Sequence, residues 1–420
     1  MALLLDSKNI FIVGIRGVAM TGIAKILIQS GKKVEGSDTQ EMQITDQLLD
    51  SLSIHISQLD DKLPDDIDLL IYSAANGGKT NPQVVEAQLR GIMIVSQATF
   101  IAEFLKQFPV SIAICGCHGK TGTTSLIAYI LTQLGVKVSW LIGAPYFKGK
   151  EDGKPSNIIT YPGANYDQDS KIFVFEADEY GVSPPQDMTP KLLLYYPTHI
   201  ICTNIDFDHP DIYKDKMHVS QVFHQFFTHS SHLYECNSHS LNENLNGVIS
   251  CLSELGYDRK TIQEIAKQFI GVARRMEYHG NSKGVDYYDD YGHHPAEIEV
   301  TISELRIKYP NRRLILLFQS HTYSRTQAFK NEFVETLSKA DMVLIDTIFP
   351  SAREKMGVIP ISALELETLA KTKGLSNIKG FETRSSLIDY AKSIITAGDV
   401  VMTIGAGDIY KVINTLKDSK

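Results

Sequence analysis

The chain has 420 residues, of which 43% are hydrophobic and 21% are charged, and its formal net charge is −8 at neutral pH. A chain of this length exceeds what one hydrophobic core usually organises, so we expect two or three domains. The acidic balance disfavours a general nucleic-acid binder and a membrane-surface protein, and anionic ligands would need local basic pockets.

Cysteine usage and hydropathy exclude several further classes. The five cysteines are odd in number and include no Cys-x-x-Cys pair, which predicts neither a disulfide framework nor a zinc site. No apolar run is long enough to span a bilayer, and the apolar start at residues 1–6 is too short for a signal peptide. We therefore expect a cytoplasmic protein.

The N-terminal stretch has the pattern of a Rossmann-like opening. An apolar run predicts a buried strand, Gly14 to Gly17 form the turn, and a helical pattern and a second strand follow. Arg16 occupies the second glycine position of the dinucleotide fingerprint, which disfavours NAD but leaves a cation that could pair with a pyrophosphate. Asp38 ends the second strand and suits either a sugar hydroxyl or a structural turn, and both alternatives stay open.

The stretch 113–124 has the context that a phosphate-binding loop requires. A short apolar strand leads in, a helical pattern leads out, and Gly135 closes the helix. Backbone N–H groups at the helix start and the Lys120 ammonium would converge on an anion, and the Thr121 hydroxyl could hold Mg²⁺. Ile114 replaces the first glycine of the common loop. An ordinary Gly-Lys-Thr turn is the alternative, but the flanking strand and helix favour nucleotide binding.

Two later strands of the middle region end in groups that could bind cations. One ends in Glu176-Ala-Asp178-Glu179, and carboxylate oxygens suit Mg²⁺, although a solvated acidic turn is the alternative. The other leads to His209, which Asp208 and Asp211 flank, so it could ligate a second cation through a ring that they orient. A lone histidine is more often structural.

The last third delivers acidic, imidazole and guanidinium groups to loops that follow strands. Asp290 and His293 lie just before a helix that we expect to begin at residue 295 or 296, where proline is favoured. His321 and Arg325 follow another strand, and the Arg325 fork suits a carboxylate or a phosphate. Strands alternate with helical patterns throughout, which predicts an α/β fold with parallel sheets.

These stretches together resemble the Mur ligases, which are ATP-dependent amide-forming enzymes of peptidoglycan synthesis. The segment from Ala113 matches their Ala-x-x-Gly-x-His-Gly-Lys-Thr loop, with Cys117 and Gly122 where the family usually has threonine. The Glu-Ala-Asp-Glu, Asp-Asp-Tyr-Gly-His-His-Pro and Gly-Ala-Gly-Asp-Ile segments also resemble family elements. The resemblance implies a Rossmann-like N-terminal domain (1–108), a P-loop central ATPase domain (109–271) and a Rossmann-like C-terminal domain (272–420), with ATP between the second and third.

The resemblance also implies roles for individual residues. ATP would be bound by the loop and by three residues outside it: Gly116, Cys117, His118, Gly119, Lys120, Thr121, Gly122, Asn242, Arg275 and Asp290. The metal Mg²⁺ would be held by Thr121, Glu176 and His209. The sugar nucleotide would be bound by Gly14, Arg16, Gly17, Asp38 and Ser73, the last in a loosely matched element. Catalytic roles fall to Lys120, His293, Arg325 and His321.

Two departures from the family pattern and one further match lie in the second half of the chain. Leu241 replaces the histidine of the family's His-Asn-x-x-Asn helix, which touches adenine through Asn242. Before this helix the family normally carries several more strands, so the central domain is expected to be shortened. Arg275 corresponds to an arginine near the ATP phosphates, and a solvated turn at Arg274-Arg275 is the alternative.

The resemblance implies that the chain joins L-alanine to the lactyl carboxylate of UDP-N-acetylmuramate through an acyl phosphate. One alternative is a ligase that adds a whole peptide to the same sugar nucleotide, and another is a non-catalytic nucleotide-binding homologue. The loops at 321–325 and 352–355 favour a single amino acid. We expect no nucleic-acid or membrane partner, and a monomer or weak dimer.

Overall fold

The computed structural model describes residues 6–151, 154–238, 240–350 and 361–418. The chain divides into two compact units, the first made of Met1–Phe207 and Ile212–Ala273 and the second of Asp208–Asp211 and Arg274–Lys420. Within the described ranges, every helix is too short or too polar to cross a membrane.

The N-terminal part of the first unit is a parallel sheet flanked by helices. Its strands are β1 (Asn9–Val13), β2 (Lys33–Ser37), β3 (Ile56–Ser57), β4 (Leu69–Tyr72) and β5 (Met93–Ser96). Its helices are α1 (Val18–Gln29), α2 (Asp46–Ser51), α3 (Pro82–Leu89) and α4 (Gln97–Phe104). The strand order is β3-β2-β1-β4-β5, which reverses at β1 and confirms the predicted Rossmann-like opening.

The central part of the first unit is a mixed sheet. Its strands are β6 (Val110–Cys115), β7 (Val138–Glu151), β8 (Lys154–Asn165), β9 (Ile172–Glu176), β10 (Gly181–Ser183), β11 (Asp187–Pro190), β12 (His199–Cys202), β13 (His232–Glu235) and β14 (Phe269–Val272). Its helices are α5 (Lys120–Gln133), α6 (Lys216–Phe227), α7 (Leu241–Glu254) and α8 (Arg259–Ala266). The order is β13-β12-β6-β9-β7-β14, with β8 on β7 and β10-β11 as a separate hairpin.

Two features of the central sheet differ from what the sequence pattern indicates. The spacing of apolar residues over 262–270 predicts one helix, but the helix ends at Ala266 and residues 269–272 form β14, antiparallel to β7. The long antiparallel hairpin of β7 and β8 has no clear signal in the sequence, although it carries the only tryptophan, Trp140.

The two sheets of the first unit share one hydrophobic core. A side chain at Gly22 of α1 would lie 2.5 Å from Leu141 Cδ1, so glycine allows α1 to pack closely on the β7–β8 hairpin. At the predicted linker, Phe108 stacks on Phe173 with ring centroids 5.1 Å apart, and Phe104 meets Phe173 edge-on at 5.2 Å. The connection is therefore part of the core.

The second unit is a six-stranded sheet flanked by helices. Its strands are β15 (Glu277–Ser282), β16 (Val285–Asp290), β17 (Leu314–Phe318), β18 (Met342–Ile345), β19 (Ile378–Gly380) and β20 (Val400–Ile404). Its helices are α9 (Pro295–Lys308), α10 (Tyr323–Ala328), α11 (Lys330–Leu337), α12 (Ala363–Thr372), α13 (Arg384–Ile394) and α14 (Val412–Lys417). The order is β15-β16-β20-β17-β18-β19, parallel except for β15. The predicted helix start at Pro295 is confirmed.

A buried arginine ties the start of the second unit to its C-terminal loop. The Arg274 Nε donates to Asp289 Oδ2 at 2.9 Å, and its two terminal nitrogens donate to the carbonyls of Gly407 at 3.0 Å and Gly405 at 2.7 Å. Its guanidinium carbon also lies 4.3 Å from the centre of the Tyr410 ring. The solvated turn considered for Arg274 is therefore wrong, because the side chain is 8% exposed and fully engaged.

We expect Arg274→Met to lower the free energy of unfolding by about 3 to 5 kcal/mol, since the buried Asp289 would lose its counter-charge. Denaturation in urea, followed by circular dichroism, measures the change. Lys371→Met is the matched control, because Lys371 is 66% exposed in its pair with Glu367, and it should cost about 0 to 1 kcal/mol. Equal midpoints for the two variants would contradict the structural role of Arg274.

Candidate active site

Gly14 and Ser73 face each other at the point where the order of the first sheet reverses. Gly14 follows β1 with a φ of +80°, and a Cβ atom there would lie 2.5 Å from Ser73 Oγ. The Ser73 hydroxyl, which follows β4, is buried and has no hydrogen-bond partner among the described residues. Ligands of doubly wound sheets bind at this reversal, so the hydroxyl is placed to meet one.

The other predicted sugar-nucleotide residues shape the turn after β1. Asp38 Oδ2 accepts a hydrogen bond from the Arg16 backbone N–H at 2.7 Å, which is the structural one of its two proposed roles. The Arg16 side chain donates to Asp46 Oδ1 at 2.8 Å, so its charge is already paired. Gly17 donates to the Gly14 carbonyl at 3.2 Å and precedes α1.

The loop between β6 and α5 is held from behind by two residues that follow β12. The N–H groups of Cys117 and His118 donate to the Asn204 carbonyl at 3.2 Å and to Asn204 Oδ1 at 3.0 Å. The His118 carbonyl accepts from Thr203 Oγ1 at 2.5 Å and from Asn204 Nδ2 at 2.9 Å. Gly116 has a φ of +128° and adjoins Thr203, so it admits no side chain. Sequence reasoning assigned no role to Thr203 and Asn204, although a polar pair after a strand was visible.

The Lys120 side chain lies at the start of α5, is 14% exposed and has three acceptors. Its Nζ donates to the Gly116 carbonyl at 2.6 Å, to the Cys117 carbonyl at 3.3 Å and to Glu179 Oε2 at 2.7 Å. Burial by itself would lower the pKa of Lys120, but the nearby carboxylates of Glu179 and Asp178 outweigh it and raise the pKa. Lys120 is therefore a fixed cation, and Glu179 is a site residue that the predicted set did not include.

The three carboxylates after β9 have separate partners. Glu176 Oε2 accepts from Thr121 Oγ1 at 3.1 Å, and its Oε1 accepts from the Gly143 N–H at 2.5 Å. Asp178 pairs with Lys191 at 2.7 Å, while Glu179 pairs with Lys120. The solvated acidic turn is therefore wrong. A hydroxyl from the first turn of α5 and a carboxylate from the end of β9 present the hard oxygen atoms that fit Mg²⁺.

The N-terminal turn of α7 lies against the start of α5. A Cβ atom at Gly122 would be 3.5 Å from Leu241 Cδ1, so the two positions at which this chain departs from the family loop and helix are in contact. Asn242 and Asn246 are exposed, whereas Asn244 is buried. The structure therefore places the predicted Asn242 on the solvent side of the helix.

Asp290 and Arg275 lie together at the start of α9 in the second unit. The Asp290 carboxylate accepts from the N–H groups of Met276 at 2.8 Å and Gly292 at 2.6 Å. Burial raises the pKa of Asp290 to about 6, although Arg275 opposes the shift. Arg275 donates to Glu297 Oε1 at 3.1 Å, so the solvated turn is wrong for this arginine too. Glu297 is a further residue of this cluster that the predicted set did not include. Its position in the first turn of a helix, where a glutamate often caps backbone N–H groups, is visible in the sequence.

His293, His321 and Arg325 are brought together in the second unit. Arg325 makes a buried pair with Asp208, with Nη2 at 2.8 Å and Nε at 3.2 Å from Oδ1. Burial and the Arg325 cation hold the pKa of His293 well below its usual range, so its imidazole is neutral at neutral pH. The rings of His293 and His321 meet edge-on with centroids 6.2 Å apart.

His209 lies in the short segment Asp208–Asp211, which belongs to the second unit. Its Nε2 is 3.6 Å from Asp208 Oδ2, and its φ is +54°. Burial would raise the pKa of Asp208, but His209 and Arg325 outweigh it and hold the pKa well below its usual value. The predicted flanking carboxylate therefore does contact the imidazole.

A second group of potential metal ligands lies at the start of β12 and β13. Ligand atoms of His199, His232 and Glu254 lie within 4.8 Å of one another. The two imidazoles stack with centroids 4.6 Å apart and planes at 17°, so their in-plane lone pairs run side by side. Metal ligands must point at a common centre. The group therefore fits a stacked ion pair better than a metal site.

Comparison with known families covers almost all of the chain. The model of the Mur ligase family catalytic domain matches residues 9–109, that of the Mur ligase middle domain matches 114–245, and that of the Mur ligase glutamate ligase domain matches 274–407. The chain belongs to the Mur ligase family. The predicted family and its three-domain α/β architecture are confirmed.

Curated relatives in this family match the chain from end to end. The UDP-N-acetylmuramate–L-alanine ligases of Caldanaerobacter subterraneus subsp. tengcongensis and Trichlorobacter lovleyi are 30% and 31% identical to it. The alignments cover 96% of this chain and 96% and 97% of the relatives. Each spans 468 positions, more than the 420 residues here, so the relatives contain segments that this Mur ligase lacks.

Solved structures share the fold at lower identity. The UDP-N-acetylmuramate–alanine ligase of Thermotoga maritima is 20% identical, with a TM-score of 0.76 over 98% of both chains. A murein peptide ligase from Psychrobacter arcticus is 22% identical, with a TM-score of 0.69 over 98% of this chain and 99% of that one. Both relationships concern the fold.

The raised pKa of Asp290 predicts a pH-dependent stability difference. Below its ordinary pKa of 3.8 the carboxyl is protonated in both states, and its stabilising contribution is fully present; this contribution is lost as pH rises to about 6, because only the folded protein keeps the proton. Between pH 4 and pH 7, the unfolding free energy of Asp290→Asn should rise by about 3 kcal/mol relative to that of the wild type. Urea denaturation across this range measures the gap, and a constant gap would contradict the shift.

Gly119→Ala should weaken binding of Mg-ADP at least tenfold, as measured by isothermal titration calorimetry. Gly119 has a φ of +81°, and a Cβ atom would lie 3.0 Å from Asn244 Nδ2, so alanine would distort the loop. Gly135→Ala is the control at the other end of α5: its φ is +73°, but nothing lies within 4 Å. The control should cost about 1 kcal/mol of stability and leave affinity unchanged. An equal loss of affinity in both variants would count against the loop.

Proposed function

We propose that this Mur ligase uses ATP to join L-alanine to the lactyl carboxylate of UDP-N-acetylmuramate, through an acyl phosphate. The setting of Lys120, a largely enclosed cation at a helix start and 2.7 Å from Glu179, carries the proposal of phosphoryl transfer. The names of the curated relatives at 30% and 31% identity support these two substrates.

A carboxylate reacts poorly with an amine because its leaving group would be an oxide, and phosphorylation supplies a better one. Bringing that carboxylate to the γ-phosphoryl group of ATP opposes like charges. Lys120 and the N–H groups at the start of α5 offset this repulsion. Thr121 and Glu176 would hold Mg²⁺, which would supply further positive charge to the phosphate oxygens. His209 is a candidate ligand of a second cation.

The amine would then attack the activated carbonyl. His293 is neutral at neutral pH, so its ring can accept or position a proton of the incoming ammonium. Arg325 binds Asp208 with two of its N–H groups and can direct others to a carboxylate or a developing oxyanion. His321 lies beside His293 and would help to position the acceptor.

The peptide-adding ligase is the alternative with the same first step. The fold does not separate the two, because this chain resembles solved structures of both kinds. The loop at 352–355, one of the two loops on which the prediction of a single amino acid rested, lies outside the described residues. The alanine acceptor is therefore supported by the relatives' names. ATP and nucleotide sugars are cytoplasmic metabolites, so we propose a cytoplasmic enzyme, monomeric or weakly dimeric.

Phosphate release tests this function. With UDP-N-acetylmuramate, Mg-ATP and L-alanine, the wild type should release phosphate and form the alanyl product by mass spectrometry. Lys120→Ala should lose at least a hundredfold in kcat, whereas Lys137→Ala, whose ammonium pairs with Asp169 and is 58% exposed, should keep wild-type activity. Release with a tripeptide but not with alanine would select the peptide-adding ligase. No release with either acceptor would favour the non-catalytic homologue.

A further inference from the structure

One guanidinium bridges two carboxylates at the edge of the second unit's sheet where its parallel strands end. Arg384 Nε donates to Asp346 Oδ2 at 2.8 Å, and Arg384 Nη2 lies 2.6 Å from Asp408 Oδ1. Asp346 directly follows β18, and Asp408 belongs to the loop that follows β20. The bridge therefore joins the loops of two strands that β17 separates in the sheet.

The position of Arg384 in its own helix is unfavourable. It is the first residue of α13, where Thr383 caps the helix by accepting from the Ser386 N–H, and the first turn holds no acidic residue. A cation at a helix N-terminus opposes the helix dipole. The two carboxylates offset this cost, and the Asp346 side chain is fully buried. The bridge therefore explains the arginine, whereas the helix alone would favour an acidic residue.

The bridged loops pack against the loop that carries His321. Phe349 lies three residues beyond Asp346, and its ring stacks on that of His321 with centroids 5.9 Å apart and planes at 22°. From the loop after β20, a Cβ atom at Gly407 would lie 2.9 Å from Phe349 Cβ and would overlap Gln319 Oε1. The loops after β17, β18 and β20 therefore form one packed layer that includes His321.

Without the guanidinium, two carboxylates would lose the partner that they share. Their mutual repulsion would favour separation of the loops after β18 and β20, and their charge would oppose the carboxylate of an amino-acid acceptor. We propose that Arg384 is a positioning residue of the acceptor site, which holds these two loops together so that Phe349 keeps the His321 ring in place for the amino acid. The inference rests on the proposed ligase function.

Steady-state kinetics with UDP-N-acetylmuramate, Mg-ATP and L-alanine test this role. Arg384→Met should raise the KM for L-alanine about tenfold, because the charge-assisted hydrogen bonds that set the loops are lost. The kcat and the KM for Mg-ATP should stay within about twofold of the wild type, since binding of the acceptor alone is weakened. A general folding defect would instead lower kcat and leave the KM for L-alanine unchanged.

Arg384→Lys provides a second variant, which carries the test if the methionine variant does not fold. Lysine keeps the charge but lacks the fork that reaches both carboxylates. Its KM for L-alanine should therefore lie above that of the wild type and below that of Arg384→Met. A lysine variant with the wild-type KM would show that charge alone suffices and would contradict the bridge.

Arg313→Met is the matched control. Arg313 precedes β17 and pairs at 3.3 Å with Asp399, which precedes β20, so this pair lies at the opposite edge of the same sheet. Its side chain is 43% exposed, and its replacement should leave both KM values unchanged. A wild-type KM for L-alanine in Arg384→Met, or an equal rise in Arg313→Met, would overturn the inference. Absence of phosphate release by the wild type would instead refute the proposed function itself.

Discussion

The ion pair of Lys120 with the buried Glu179 is the constraint on which the proposed nucleotide site depends. A lysine ammonium inside a protein is stable only with a counter-charge and hydrogen-bond acceptors. Parallel pairing of β6 with β9 supplies the counter-charge, because it places the residues that follow β9, including Glu179, beside the turn that carries the lysine. The carbonyls of that turn complete the set. The fold therefore fixes a cation at the head of α5, and in the proposed function phosphate oxygens would take over from the carboxylate.

The second unit applies the same principle to arginine. Each of three arginines has a carboxylate partner: Arg274 with Asp289 and Arg325 with Asp208 are buried pairs, whereas Arg275, which is 29% exposed, pairs with the buried Glu297. Their roles differ, however. Arg274 uses its remaining donors on backbone carbonyls and is structural, whereas Arg325 stands beside a neutral histidine and retains donors for a ligand. A charge that is already paired can be redirected to an anionic substrate at lower cost than an exposed one, because its desolvation has occurred during folding.

Local patterns in the sequence predict the parallel strands and the loops after them, because each depends on a short apolar run followed by glycine or polar residues. Pairing between distant segments leaves weaker signals. The β7–β8 hairpin contains Gly143, Gly149 and several lysines, a composition typical of loops, and only pairing with distant strands makes these segments strands.

Arg274 and Arg275 look like a solvated turn in the sequence because their carboxylate partners come from more distant positions, residues 289 and 297. Asn244 is different, because its spacing from Leu241, Val248 and Cys251 follows the buried helical stripe and was available in the sequence. The resemblance to the family's helix motif instead selected Asn242, which is exposed in the structure.

The departures from the family's usual residues are compensated locally. The Cys117 thiol donates to the Asp206 carbonyl at 3.0 Å and its sulfur accepts from the Asp206 N–H at 3.3 Å, which are bonds that a threonine hydroxyl can also make. A Cβ atom at Gly122 would lie 3.5 Å from Leu241 Cδ1, an ordinary van der Waals distance, so the two replaced positions are neighbours in the structure. Lys120, Thr121 and Glu176, the residues that would hold the phosphates and the metal in the proposed function, are all present. The substitutions at Cys117, Gly122 and Leu241 remove none of these groups, so they give no support to a non-catalytic homologue.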